Sequence, residues 1–167
     1  MNPILKNAAA AMPRTDYPRP MWMRSEWYCL NGPWEFAFDF SVSGEERGMQ
    51  TGGDYPLTIN VPFCPESQLS GIGEHFEEGM PLWYRRRIEI PKDFNRGRWL
   101  LHIGAADQET DVYVNGNHAG HHLGGYEAMS FDITPYLQED NEIVVRVTDD
   151  LRGNVQPYGK QIGRAHV

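Results

Sequence analysis

Between Trp34 and Phe40 every second residue is aromatic, with Glu35, Ala37 and Asp39 in between. A period of two sends alternate side chains to opposite faces of an extended chain. The segment therefore predicts a half-buried strand, preceded by a turn at Asn31-Gly32-Pro33. Asn141 to Val147 repeats the pattern, with Ile143, Val145 and Val147 set against Glu142, Val144 and Arg146. Shorter apolar runs predict further strands at Leu57 to Phe63, Leu82 to Ile90, Trp99 to Ile103, Asp111 to Gly116, Ala119 to His122 and Met129 to Ile133. Turn residues separate them: Cys64-Pro65-Glu66-Ser67, Pro91, and Asn95-Arg96-Gly97. Asn115-Gly116 is a strong hairpin signal, because a two-residue hairpin turn needs positive φ at both positions. Ser41 to Asp54 and Gln68 to Gly79 carry Gly, Ser and acids without period; both read as loops, the first an exposed one. No segment keeps a helical period over a dozen residues. At least seven short strands with turns between them predict an all-β antiparallel sandwich or barrel.

Composition narrows this picture. The chain has 167 residues, enough for one domain with a substantial core. Its 5 Trp, 8 Tyr and 7 Phe, with 17 Gly and 12 Pro, suit strands joined by tight turns. A formal net charge of −8 argues against a nucleic-acid partner, whose phosphates call for a basic surface. The basic run Arg85-Arg86-Arg87 falls inside a predicted strand, where two of its side chains share a face, and it reads as a solvated face. Cys29 and Cys64 are too few and too far apart for a disulfide framework or a metal cage; each reads as a small buried side chain. Residues Met1 to Arg19 are Pro- and Ala-rich and read as a loose arm. Ala8 to Ala11 is too short for a signal peptide core, and no run approaches transmembrane length. A cytoplasmic protein without membrane contact is the resulting expectation, with a signal peptide lost upstream of this fragment as the alternative.

Several residues invite chemical readings. His118, His121 and His122 are close in sequence, but their spacing is loose, no Cys or carboxylate joins them, and a hairpin should splay them. They are not expected to hold a metal. Trp83, Tyr84 and Tyr126 could stack on sugar rings; a sandwich core is the expected place for them. Gly71-x-Gly73 lacks the strand-to-helix setting of a phosphate cradle. Glu45-Glu46 and Asp149-Asp150 are adjacent carboxylates that a strand would point to opposite faces, which makes them poor catalytic pairs.

A series of short motifs points further. In order they are Leu30-Asn31-Gly32-x-Trp34-x-Phe36, Val61-Pro62-Phe63-Cys64-Pro65-Glu66-Ser67, Leu69-Ser70-Gly71-Ile72, Trp83-Tyr84-Arg85-Arg86 and Leu101-His102-Ile103-Gly104-Ala105. The densest is Val112-Tyr113-Val114-Asn115-Gly116-x-x-x-Gly120-x-His122-x-Gly124-Gly125-Tyr126, followed by Phe131-Asp132-Ile133-Thr134. Asn141-x-Ile143-x-Val145-x-Val147 and Gly159-Lys160-Gln161 complete the series. In this order and spacing the chain resembles the N-terminal sugar-binding domain of family 2 glycoside hydrolases, the family of β-galactosidases and β-glucuronidases. The resemblance implies a jelly-roll-like, galactose-binding-domain-like antiparallel β-sandwich over residues 20–161, after the 1–19 arm.

The resemblance also implies a parent enzyme: a retaining β-glycosidase acting on a β-glycoside substrate. That chemistry uses two carboxylates about 5 Å apart. In this family both belong to a C-terminal barrel, so this chain is expected to carry no catalytic residue and to need no cofactor. Its implied partners are the parent's own C-terminal domains and, in the full-length enzyme, further copies of itself. A free-standing carbohydrate-binding module is the alternative reading. Through its β-galactosidase branch, the resemblance places one substrate-binding residue here: Asn60, in the stretch before Pro62-Phe63, with an edge-strand residue bonding a turn as the alternative. Its amide is expected to be exposed or tied to the turn, with Asn60→Ala changing stability by no more than roughly 0.5 kcal/mol. Asn115-Gly116 is expected to turn the hairpin, Gly124-Gly125 to let the backbone pass close to Tyr126, and Asp132 to accept a turn hydrogen bond. Finally, Ile162 to Val167 can be spelled ATC GGA AGA GCA CAC GTC, a string from a short-read sequencing adapter. The natural sequence is therefore expected to diverge after Gln161.

Overall fold

A computed structural model describes residues 13–17, 19–74, 79–90 and 97–149, together with the backbone of Ala165 and His166. Gly159-Lys160-Gln161 and most of the N-terminal arm lie outside these residues. Ten strands run through the described residues: β1 Gly32–Phe38, β2 Leu57–Val61, β3 Leu82–Glu89, β4 Leu100–Ile103, β5 Ala105–Ala106, β6 Glu109–Val114, β7 Asn117–Leu123, β8 Met129–Asp132, β9 Asp140–Thr148 and β10 Ala165–His166. Six form one antiparallel sheet in the order β2-β1-β3-β9-β6-β7, while β4 pairs with β8 and β5 with β10. The fold is the antiparallel β-sandwich that the strand pattern predicts.

The sandwich core forms where the alternating apolar positions meet. Trp34 and Phe36 of β1, Ile59 and Val61 of β2, Leu82 and Tyr84 of β3, and Val112 and Val114 of β6 belong to it. So do Ile143, Val145 and Val147 of β9, as the pattern predicts, with Leu101, Ile103, Met129 and Phe131 from the β4–β8 pair. Phe36 packs edge-on against Phe38 and Tyr84, with ring centroids 4.9 and 5.0 Å away. The alternation breaks at Phe40, which is 82% exposed because β1 ends at Phe38.

The other face of the six-stranded sheet is also covered: most of Ser41 to Asp54 is exposed, as the sequence suggests, but Gly44 and Met49 within it are buried against that face. Met49 and Tyr55 pack with Ala37, Trp83, Tyr113 and Val144 in a second apolar cluster. Asp39 holds this cover in place. Its carboxylate accepts from the backbone N–H of Gly44 at 2.7 Å and of Ser43 at 3.2 Å, from Arg47 at 2.7 Å, and from Trp83 Nε1 at 3.3 Å. Tyr55 Oη donates to the Met49 carbonyl at 2.8 Å.

The hairpin turn forms where expected: Asn115 has φ 50° and Gly116 φ 77°. The Asn115 side chain also links two elements, because Nδ2 donates to Tyr136 O at 2.8 Å and Oδ1 accepts from Glu142 N at 2.8 Å. Asp132 Oδ1 accepts from Thr134 N at 3.1 Å, the turn bond read from the sequence. A side chain at Gly125 would collide with the Asp107 carboxylate, so the backbone there passes close to that acid.

Candidate functional site

Asn60 sits one residue before the end of β2, an edge strand, opposite Pro33 of β1. Its neighbours Ile59 and Val61 enter the sandwich core. Asn60 therefore faces the opposite side, but it is only 8% exposed. Its Nδ2 donates to the Leu69 carbonyl at 3.4 Å, tying the strand to the loop that follows it. Because the amide is covered and bonded, removing it should cost about 1 kcal/mol, more than the near-neutral change expected from sequence.

That loop is built by its own polar groups. Ser70 Oγ donates to Ser67 O at 2.7 Å and accepts from Ile72 N at 3.0 Å. Ser67 Oγ accepts from Leu69 N at 3.2 Å and caps a short 3-10 turn over Gln68–Ser70. Cys64 is buried at the loop's start, and its burial, reinforced by the negative charge of Glu66, pushes the thiol pKa up. The thiol is therefore a packing group rather than a nucleophile. Gly71 and Gly73 shape this loop, at φ 85° and 65°.

The arginine run does not form a solvated face. Arg85 lies buried on the covered face, where Nε donates to Glu35 Oε2 at 2.6 Å and Nη1 to Gly53 O at 3.0 Å. Its guanidinium also stacks 4.2 Å over the Tyr55 ring. Arg86 points to the core side, and its Nη1 donates to the carbonyls of Leu30 and Asn31 at 2.6 and 3.0 Å. Only Arg87 is solvated; it lies beside Glu142 at 3.5 Å. Two backbone segments end against the sheet with carbonyls to satisfy, and the arginines supply the donors.

The histidines are the largest departure from the sequence reading. Strand pairing sets Asp111 opposite His121 and Arg146, and Tyr113 opposite His118 and Val144. His118 Nε2 and His121 Nδ1 approach the same oxygen, Asp111 Oδ1, at 2.9 and 3.1 Å. Arg146 Nη1 donates to the other oxygen at 3.1 Å. A carboxylate does join the histidines, and the hairpin gathers two of them. Burial alone would raise the Asp111 pKa, but the His118 and His121 bonds and the Arg146 charge hold it below the ordinary value.

The three aromatic candidates separate. Trp83 and Tyr84 are fully buried, one in each apolar cluster, whereas Tyr126 is 70% exposed. An open depression lies at the end of β3 and the start of β9, lined by Arg87, Glu89, Asn115, Asp140 and Glu142. It presents no aromatic ring to a sugar. Sequence reasoning missed Asp39 and Asp111, since an acid at a strand's polar position looks the same whether it meets water or four donors.

These features define an antiparallel β-sandwich domain whose loops and polar strand faces are carried by a six-stranded sheet. The profile of glycosyl hydrolases family 2, sugar binding domain, matches residues 39–156, and the chain belongs to that family. A β-glucuronidase of Bacteroides fragilis is 28% identical over 133 residues, covering 77% of this chain and 17% of its own length. A β-galactosidase of Thermoanaerobacter pseudethanolicus is 31% identical over 80 residues, covering 46% of this chain and 11% of its own. A solved β-glucuronidase from Ruminococcus gnavus superposes with a TM-score of 0.66 at 26% identity, over 76% of this chain and 23% of that one. The chain thus spans less than a quarter of the length of each of these relatives.

Proposed function

We propose that this chain is the N-terminal, non-catalytic domain of a retaining β-glycosidase of β-glucuronidase or β-galactosidase type, packing on a C-terminal barrel and helping to shape its active site. The observation that carries the reading is the match itself: 77% of this chain corresponds to 17% of the Bacteroides fragilis β-glucuronidase. The same proposal takes a β-glycoside as substrate of the whole enzyme, its C-terminal domains and further copies as partners, and a cytoplasmic location.

The purified chain is expected to give no turnover of chromogenic β-glucuronides or β-galactosides. Glu109 and Asp111 do offer carboxylate oxygens within 4.8 Å of each other, a spacing close to the roughly 5 Å of a retaining pair. Asp111, however, is engaged by Arg146 and two histidines on a strand face. Turnover by the chain that disappears in Glu109→Gln or Asp111→Asn would overturn the non-catalytic reading.

Asn60 is proposed as this chain's contact to the sugar in the assembled enzyme. The resemblance is what supports that role, since in this chain the amide is covered and bonded to the Leu69 carbonyl. Asn60→Ala should lower the stability of the chain by about 1 kcal/mol. In the full-length enzyme it should reduce kcat/KM at least tenfold, about 1.4 kcal/mol of transition-state stabilisation. A loss of stability with kcat/KM unchanged would leave Asn60 only its bracing role.

The exposed Tyr126 keeps the carbohydrate-binding-module reading in play. Calorimetric titration of the isolated chain with β-glycans separates the two: binding lost in Tyr126→Ala supports the module, and no binding supports the structural domain.

A further inference from the structure

The β6–β7 hairpin gathers metal-binding side chains that the glycosidase reading does not use. Glu109 and Asp111 are two residues apart on β6, so they share a face. His121 stands directly across from Asp111. His118 and His121 are three apart, an odd spacing that would send them to opposite faces of a regular strand. The register shifts between Val112 and Tyr113, so that Val112 faces Gly120 while Tyr113 faces His118, and Ala119 becomes the extra residue. This bulge turns both imidazoles toward the same carboxylate. His122, on the far side of the bulge from His118, belongs to the row of Thr110 and stays away from the cluster.

We propose that this hairpin carries a site for one divalent transition-metal ion, held by Glu109, Asp111 and His121. One ligand atom from each residue lies within 4.8 Å of the other two. Around a four-coordinate ion with bonds near 2.0–2.1 Å, neighbouring ligand atoms are separated by about 3.3 Å. His121 Nδ1 and Asp111 Oδ1 are already 3.1 Å apart, at ligand spacing, and Glu109, within 4.8 Å of both, has to move inward to complete the site. His118 Nε2, 2.9 Å from the same oxygen, stands beside the site as a supporting hydrogen-bond partner or a further ligand. Arg146 occupies the second oxygen of Asp111 and fixes the carboxylate, as outer partners do at metal sites. Its charge offsets one carboxylate, and Glu109 supplies the other. One imidazole with two carboxylates suits zinc, nickel or copper better than calcium, which prefers all-oxygen shells.

The test uses the whole chain without an added histidine tag, stripped with chelator and then titrated with zinc sulfate in a calorimeter. Cobalt, monitored by its visible absorption, reports the geometry. One ion should bind per chain, and His121→Ala or Glu109→Gln should weaken it by roughly tenfold or more. His121 is exposed, so its replacement leaves the fold intact; an unchanged far-ultraviolet spectrum checks this. His102→Ala, on the β4–β8 pair, should bind zinc like the parent chain. No measurable zinc binding, or binding that survives in His121→Ala, would overturn the site.

Discussion

Phe36→Ala is expected to lower the stability of the domain by about 4 kcal/mol, within the range found for buried phenylalanine truncations. Phe36 is completely buried on β1, opposite Leu57 of β2 on one side and Tyr84 of β3 on the other. Its ring meets Phe38 and Tyr84 edge-on, so truncation removes two aromatic contacts as well as apolar burial. The neighbouring side chains come from three paired strands whose register is fixed by their ladders, so the cavity cannot collapse fully. For a domain of this size the Tm should fall by roughly 8–16 °C. Urea denaturation followed by tryptophan fluorescence measures the change, with the slope of the transition unaltered. A loss below about 1.5 kcal/mol would mean that the two layers repack around the gap.

Asp39→Asn should cost about 3 kcal/mol at neutral pH, although it conserves shape. Asp39 is almost wholly buried and accepts from two backbone N–H groups, Arg47 and Trp83. An asparagine has one acceptor oxygen and would turn an NH2 toward those donors, leaving Arg47 without its carboxylate. The effect depends on pH. Burial by itself raises the Asp39 pKa, but the Gly44 and Ser43 amides, then Trp83 and Arg47, outweigh it and hold the carboxyl below its ordinary value. A depressed folded-state pKa means the stabilisation is fully present above the unfolded value of about 3.9 and disappears as the pH falls through the folded value. The parent chain should therefore lose this increment in acid, while Asp39→Asn, which lacks it throughout, should show a flatter acid limb. Urea midpoints at neutral and acidic pH read the difference. An equal gap between the two proteins at both pH values would remove the charge from the explanation and leave only hydrogen-bond geometry.

Much of this domain could be read from its sequence because its main signals are local. The aromatic alternation of β1 and the aliphatic alternation of β9 each assign a face without reference to any other segment. Asn115-Gly116 specifies its own turn, and Asp132 bonds the backbone two residues on. The ordered motifs from Leu30 to Val147 were enough to place the chain in its family.

What the sequence left open depends on which segments meet across the sheet. Arg85, Arg86 and Arg87 look alike in a row, yet the pairing of β3 between β1 and β9 buries the first, anchors the second on two carbonyls and leaves the third in water. Ser41 to Asp54 carries no period, so nothing local shows that it folds back as a cover over Trp83. Asn60 occupies a polar position on an edge strand, and only the loop ending at Leu69 decides that it is buried. The meeting of His118 and His121 at Asp111 required a bulge, because a one-residue change of register reverses every later side chain. Local alternation determined the strands and their faces, whereas long-range pairing decided what each polar side chain on those faces meets.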